Sequence, residues 1–373
     1  MKIRAAVAEK QDSETPKGLQ VQDLELDDNL HEKEVLVRVV ACAVCHADIA
    51  ARDGHVPFPL PGVLGHEGTG VVVRVGSKVE RVKAGDHVLM TFPNDGTCEN
   101  CLDGKPRWCK HGGELMWSGR RYDGSSSALS RNGHPVSGHL FQQSAFATYV
   151  IATEMNLVAV AKDLPLEQFV LGCGIMTGAG AVLNSLKPAP GSSIVIFGAG
   201  GVGSAAIMAA KIAGCTTIIA VEPHESRRHI ALELGATHAL DSSALHLVEH
   251  LKQLTREGAH FALVCVGNAE AIRLAVEALR TGGVCGVIGD PGPGAEGSFS
   301  IPGVVGGSKT IRGINGGDSI APTFLPALIE AHARGLLPIE KITKRYSLDE
   351  INTALLDAEE GRVIKPIIIM GPA

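Results

Sequence analysis

Residues 193–214 read SIVIFGAGGVGSAAIMAAKIAG. The apolar run SIVIFG (193–198) reads as a buried strand, and VGSAAIMAAKIAG (202–214) as a small-residue helix that stops at Gly214. Between them Gly198, Gly200 and Gly203 form a G-x-G-x-x-G pattern, with Gly201 and Val202 inside it. Gly198 permits the tight turn, Gly200 lets backbone approach a pyrophosphate, and Gly203 allows close packing of helix on strand. The free N–H groups and positive dipole end of the helix face the phosphates. TIIAVE (217–222) follows as a second strand, and Glu222 at its end is placed to accept hydrogen bonds from ribose hydroxyls. A 2′-phosphate would be repelled there, so NAD is preferred over NADP. A bare glycine pattern can be a turn without a ligand; strand, helix and acid together favour a dinucleotide.

Downstream, SRRHIALELG, ALHLVEHLKQLT and EAIRLAVEALR read as helices, alternating with the strands HFALVCVG, GVCGVIG and KTIRGI (309–314). This rhythm predicts an α/β fold with a doubly wound parallel sheet. From about 316 a helix, PTFLPALIEAHARG, and a last strand, KPIIIM, are expected to pack back on the first part of the chain. Upstream the pattern differs. EVLVRVVACAVC (34–45), GTGVVVRVG (68–76) and DHVLMTF (86–92) are Val-rich strands between turn residues, predicting a β-rich first domain. The Gly/Ser-rich stretch around 110–140 reads as a surface loop. The expected domains are 1–174, 175–315 and a returning segment 316–373.

With 373 residues, 45% of them hydrophobic and 20% charged, the chain can fill more than one core. A net charge of −6 argues against nucleic acid or an anionic membrane as the main partner. No apolar run is long enough to span a bilayer, and MKIRAAVAEKQDSETPKG lacks the apolar core of a secretory signal. Nine cysteines in that context suggest a reducing compartment, the cytoplasm, with thiols serving metals rather than disulfides.

Three of the candidate ligands are Cys45 in AVCHAD, His66 in GHEG and Cys173 in LGCG. Two thiolates and one imidazole leave a tetrahedral Zn²⁺ with an open position, the arrangement of a catalytic site. Taken singly, each reads as a packing residue; beside a dinucleotide loop they suggest zinc-assisted hydride transfer. Asp48 could orient His66 from behind the metal, and Glu67 could serve as an alternative ligand or gate. A second group, Cys98-x2-Cys101-x7-Cys109, has the close spacing of a structural zinc knot, with Asp95 in the expected fourth place. A redox CxxC pair is the weaker reading of those cysteines. Cys42, Cys215, Cys265 and Cys285 read as packing residues.

Through GHEGTGVV, FATYV, LGCGIMTGAGAVLN and IFGAGGVG the whole chain resembles the zinc-dependent medium-chain alcohol dehydrogenases. Within them it is most similar to bacterial benzyl (aryl) alcohol dehydrogenases. The resemblance implies a GroES-like catalytic domain, a Rossmann coenzyme domain with the active site in the cleft between them, two zinc ions per chain, and NAD. It implies a small alcohol or aldehyde as substrate, a primary aromatic or allylic one such as benzyl alcohol or geraniol. It also implies a homodimer or homotetramer, with KTIRGI a candidate for pairing across a two-fold axis. By motif position Cys45, His66 and Cys173 take the catalytic zinc, and Asp95, Cys98, Cys101 and Cys109 the structural one, although the family usually has cysteine where Asp95 stands. His46 and Lys365 match coenzyme-phosphate contacts, Thr177 and Val202 flank the nicotinamide, and Arg227 lies near the adenosine ribose. Phe146 matches a substrate-pocket residue, and Phe92 is a neighbouring candidate. The family's C-H-[ST]-D hydroxyl is absent: Ala47 stands there, and Ala50 where some members carry a relay histidine. Rival readings are a glutathione-dependent formaldehyde dehydrogenase, a general aliphatic alcohol dehydrogenase, a zinc-free quinone reductase-like relative and a non-catalytic NAD-binding sensor.

Overall fold

The computed structural model describes residues 1–10, 18–292 and 294–371; the polar stretch 11–17 of the N-terminal segment lies outside them. The chain divides into two compact units. One holds Met1–Cys173, Ile320–Ile329 and Thr343–Ala373; the other holds Gly174–Ser319 and Glu330–Ile342.

In the second unit Ser193–Phe197 is a strand buried at every position, without alternation. A strand covered on both faces has this pattern, and it lies inside a parallel sheet. The six strands run in the order His238–Leu240, Thr217–Val221, Ser193–Phe197, Ala259–Val264, Leu279–Val287, Thr310–Gly313, every neighbouring pair parallel. Ser193–Phe197 therefore has the next strand on one side and Ala259–Val264 on the other. That reversal of strand order is where doubly wound sheets bind ligands, at the carboxyl ends of the strands. The helix Gly201–Ile212 leaves from that end. It stops because Gly214, at φ +80°, turns the chain, while Cys215 N–H closes back on Ala210 O at 3.0 Å. Five of the six strands are quoted above from their apolar runs. His238–Leu240 is three residues long and half-buried, too short to give a periodic signal.

In the first unit Glu34–Ala43 pairs antiparallel with Gly68–Val75 and Tyr149–Thr153, and with Lys365–Ile369 near the end of the chain. These strands, with His87–Met90, Leu157–Val160 and Thr343–Ser347, make a seven-stranded sheet. A five-stranded sheet runs Gly62–Val63, Lys2–Ala8, Leu19–Leu26, Leu129–Arg131, His134–Val136.

The 110–140 stretch is not the surface loop that its composition suggests. It contains the helix Gly112–Trp117 and the hairpin Leu129–Val136, and it buries Arg121, Leu129 and Val136. The Arg121 guanidinium donates to Glu34, Asp27 and two backbone carbonyls, which is why a polar segment can be held inside. Among the described residues no helix is long and apolar enough to cross a membrane.

Candidate metal centres and dinucleotide loop

The strand Glu34–Ala43 ends just before Cys45, and the helix His46–Arg52 begins just after it. The start of that helix is fixed by Asp48, whose Oδ2 accepts the Cys45 N–H at 3.0 Å. The other oxygen of the same carboxylate accepts the Gly65 N–H at 2.9 Å and faces His66 Nδ1 at 2.9 Å. One buried carboxylate thus ties two distant ligand-bearing segments together. The arrangement puts the His66 hydrogen on Nδ1 and turns Nε2, with its lone pair, towards Cys45 and Cys173. Ligand atoms of Cys45, His66, Glu67 and Cys173 all lie within 4.8 Å of one another.

These residues fit a metal. His66 Nε2 is buried with no hydrogen-bond partner, an orphaned atom that a cation would satisfy. Two sulfurs and an imidazole are the donor set zinc prefers. A hydrogen bond from the Cys173 thiol, opposed by burial and aided by His66, pulls the Cys45 thiol well below its ordinary range. Burial opposes charge on His66, but Asp48 and the Cys45 sulfur outweigh it and raise its pKa, so zinc and a proton compete for Nε2. Behind the cluster Lys365 Nζ pairs with the Glu67 carboxylate, both side chains buried, and reaches Val44 O at 3.4 Å. Burial raises Glu67 to about 7 against the pull of that lysine. Lys365, expected on motif grounds to meet a coenzyme phosphate, is placed here on Glu67.

Beside the cluster stand aromatic rings. Phe141 stacks on the His66 imidazole with centroids 4.4 Å apart and planes 30° apart. Trp117 meets Phe141 edge-on at 5.1 Å, and Phe92 meets it tilted at 5.5 Å. The guanidinium of Arg107 sits 3.7 Å over the Phe92 ring. Phe92 is therefore in this group. Phe146 is fully buried, its ring packed against Gly65 beside His66, where a Cβ would come within 2.8 Å of it. Phe141 and Trp117 escape the sequence reading because nothing in GHLFQQS or LMWSG has a periodicity that marks a site.

The ligand atoms of Asp95, Cys98, Cys101 and Cys109 likewise lie within 4.8 Å of one another. The loop folds around Asp95, whose Oδ1 accepts N–H bonds from Thr97 at 2.7 Å and Cys98 at 2.9 Å, while Oδ2 meets His111 Nδ1. Burial opposes its ionisation, but those donors outweigh it and hold the carboxyl well below the usual range. Burial pushes the Cys101 thiol up to about 12, a proton that metal would have to displace.

In the second unit the glycine loop has the geometry its spacing predicts. Gly198 lies at φ +92°, and a Cβ on Gly203 would fall 1.8 Å from Gly198 O. A Cβ on Gly200 would meet nothing within 4 Å, so that backbone faces open space. Glu222 is buried, its Oε2 accepting the Ala199 N–H at 2.7 Å and its Oε1 the His224 N–H at 3.1 Å. The acid thus shapes the loop, with lone pairs left for a ribose. Arg228, a neighbour the sequence reading omits, donates to Glu222 O at 2.8 Å and to Asp241; Arg227 is half-buried on the same helix. Thr177 Oγ1 is buried without a hydrogen-bond partner, Val202 lies in the first turn of Gly201–Ile212, and His46 is exposed at the start of its helix.

Residues 31–162 match the alcohol dehydrogenase GroES-like domain and residues 201–331 the zinc-binding dehydrogenase family. A geraniol dehydrogenase of Castellaniella defragrans is 42% identical over 338 residues, 90% of each chain. The crystal structure of an alcohol dehydrogenase zinc-binding domain protein from Burkholderia ambifaria is 42% identical with a TM-score of 0.95. That of benzyl alcohol dehydrogenase from Acinetobacter calcoaceticus is 39% identical with a TM-score of 0.94. Both cover 100% of this chain and of their own.

Proposed function

The chain belongs to the zinc-dependent medium-chain alcohol dehydrogenase family, and from that premise we propose that it interconverts a primary allylic or aromatic alcohol and its aldehyde. It is an oxidoreductase of small alcohols and aldehydes, in a family whose cofactors are zinc and NAD. The proposed reaction is RCH₂OH + NAD⁺ → RCHO + NADH + H⁺. The observation that carries it is the Asp48–His66 hydrogen bond, which aims an otherwise unpartnered Nε2 at two cysteine sulfurs.

Cys45, His66 and Cys173 would hold the catalytic zinc, with Glu67 beside them. When bound, the metal lowers the pKa of an alcohol hydroxyl so that it ionises near neutral pH. Asp48 holds the tautomer of His66, and Lys365 keeps the Glu67 charge balanced in a buried place. Gly198 to Gly203 and the helix behind them cradle a pyrophosphate, Glu222 receives the ribose hydroxyls and disfavours a 2′-phosphate, and Thr177, Val202, Arg227 and His46 complete the coenzyme contacts. Asp95, Cys98, Cys101 and Cys109 hold a second, structural zinc. Ala47 supplies no hydroxyl, so ordered water carries the alcohol proton away.

The substrate class is supported by the half-buried faces of Phe92 and Trp117 beside the His66–Phe141 stack, which suit a flat unsaturated carbon next to the hydroxyl. The similarity to a geraniol and a benzyl alcohol dehydrogenase supports the same class. Thr310–Gly313 ends its sheet, and that outer edge supports a homodimer or homotetramer built by strand pairing.

The test is NAD⁺ reduction over aliphatic, benzylic and allylic alcohols, using protein of measured zinc content. Benzylic or allylic alcohols are expected to exceed ethanol in kcat/KM by about tenfold or more, a single added methylene in an apolar pocket already being worth ~1–3 kcal/mol. A preference for short aliphatic alcohols overturns the substrate class. No reduction of NAD⁺ by any alcohol, with zinc present, returns the reading to a non-catalytic NAD-binding protein.

A further inference from the structure

We propose that Phe141 is a positioning residue that fixes the imidazole plane of His66, presented to it by the left-handed segment 139–144. The proposal rests on the reading of His66 as a metal ligand.

A single hydrogen bond from Nδ1 to Asp48 sets one edge of the imidazole but leaves the ring free to hinge about that bond. The Phe141 face, stacked at 4.4 Å, blocks this movement. Phe141 does not reach this place by an ordinary loop. His139, Phe141, Gln142 and Ser144 all have φ between +51° and +62°, a region that side chains with a Cβ rarely occupy. The surroundings over-determine it. Ser144 Oγ accepts the Leu140 N–H at 2.9 Å and donates to Val63 O at 2.6 Å. Gln142 Nε2 donates to Leu115 O and Arg120 O, and Asn156 Nδ2 donates to the carbonyls of Phe141 and Gln142.

The same segment grips the backbone of the ligand. Gln143 Nε2 donates to His66 O at 2.7 Å and its Oε1 accepts the Gly68 N–H at 3.1 Å, while Ala145, the residue just after the segment, donates its N–H to Gly65 O at 2.7 Å. Trp117 and Phe92 back the Phe141 ring, and Arg107, between Cys101 and Cys109 in sequence, lies over Phe92. Ring plane and backbone of His66 are therefore held by one six-residue segment that supplies no ligand itself.

The experiment is ¹¹³Cd NMR of the cadmium-loaded full-length protein, with cadmium release to a chelator followed in parallel. A site with two thiolates and an imidazole and a site with three thiolates give separate resonances. In Phe141→Leu the first resonance is expected to shift, and cadmium from that site to leave about tenfold faster, the usual effect of removing a group that orients a ligand. The second resonance stays in place. Phe141→Met, which keeps the buried volume without the flat face, carries the same expectation if the Leu variant does not fold. Phe141→Tyr, which keeps the face, is expected to restore the wild-type resonance. No change at the first site, or an equal change at both, overturns the proposal. Wild-type protein lacking a two-thiolate, one-imidazole resonance overturns the ligand reading beneath it, a distinguishable result.

Discussion

The Asp48 Oδ1 and His66 Nδ1 atoms are 2.9 Å apart, with neither side chain exposed to solvent. The same carboxylate accepts the backbone N–H groups of Cys45 and Gly65, so all its hydrogen-bonding partners are donors. Asp48→Asn replaces one acceptor by an N–H₂ group. Whichever way the amide turns, a donor then faces a donor, either at Cys45 N–H or at the Gly65 and His66 pair. The expected result is a loss of catalytic-site zinc affinity of roughly 10–100-fold, measured by chelator competition, with the second metal retained. Unchanged affinity would mean that Asp48 does not set the His66 tautomer.

Asp95 does two jobs that substitution can separate. Its Oδ1 closes the turn by accepting from Thr97 and Cys98, and its carboxylate lies among three cysteine sulfurs, whose donor set we propose it completes. Asp95→Asn keeps an oxygen for the turn but removes the charge, so zinc content is expected to fall by about one equivalent per chain with the fold retained. Asp95→Cys supplies a fourth thiolate and is expected to slow zinc release. An Asn variant that keeps its full zinc complement would show that three cysteines suffice.

What the sequence discloses about this protein divides by locality. The glycine loop is legible because Gly198, Gly200 and Gly203 act through their own backbone, within one strand–turn–helix unit. Cys45, His66 and Cys173 are legible from donor chemistry although they are far apart in the chain. Phe141 is not, since its left-handed backbone is imposed by Asn156, Gln142 and Ser144 reaching distant carbonyls and by no propensity of its own. The 110–140 stretch misleads for a related reason: its Gly/Ser content signals turns, but the buried Arg121 finds acceptors on Asp27 and on the buried Glu34, which only the folded sheet assembles.

His139 opens the left-handed segment and is buried as a neutral ring, its Nε2 accepting the Ala128 N–H at 3.3 Å. Burial, reinforced by the Arg121 charge, lowers its pKa to about 3. The unfolded chain takes up that proton near pH ~6.5, so stability falls as pH drops from there towards the folded value. The slope is at most ~1.4 kcal/mol per pH unit for this one group. His139→Asn tolerates the φ of +62° and cannot titrate there. The stability gap between wild type and variant in urea unfolding is therefore expected to shrink, or change sign, between about pH 7 and pH 5. A gap independent of pH would show that His139 does not carry the effect.

Glu222 holds the Ala199 N–H and sits at the end of its strand. Glu222→Gln keeps one oxygen for that bond, gives up the acceptor of the His224 N–H, and removes the charge that we propose repels a 2′-phosphate. The ratio of kcat/KM for NAD to that for NADP is expected to fall on the order of tenfold, because a well-screened charge pair a few Å apart is worth on the order of 1 kcal/mol. If the ratio does not move, Glu222 shapes the loop only.

Ala47 is half-buried in the first turn of His46–Arg52, between Cys45 and Asp48 in sequence. A serine there fits the helix start and places a hydroxyl one residue from the segment that would hold the zinc. If water now carries the alcohol proton, Ala47→Ser gives it a fixed first stop. The single-turnover rate of NADH formation is expected to rise roughly threefold to tenfold, well short of the 10²–10⁴ that a full acid–base group contributes. The solvent isotope effect on that step should fall alongside it, since fewer mobile waters take part. Stopped-flow traces at several pH values decide the matter. Identical rates for the two proteins across the whole range would mean that the proton leaves by a route this helix does not touch.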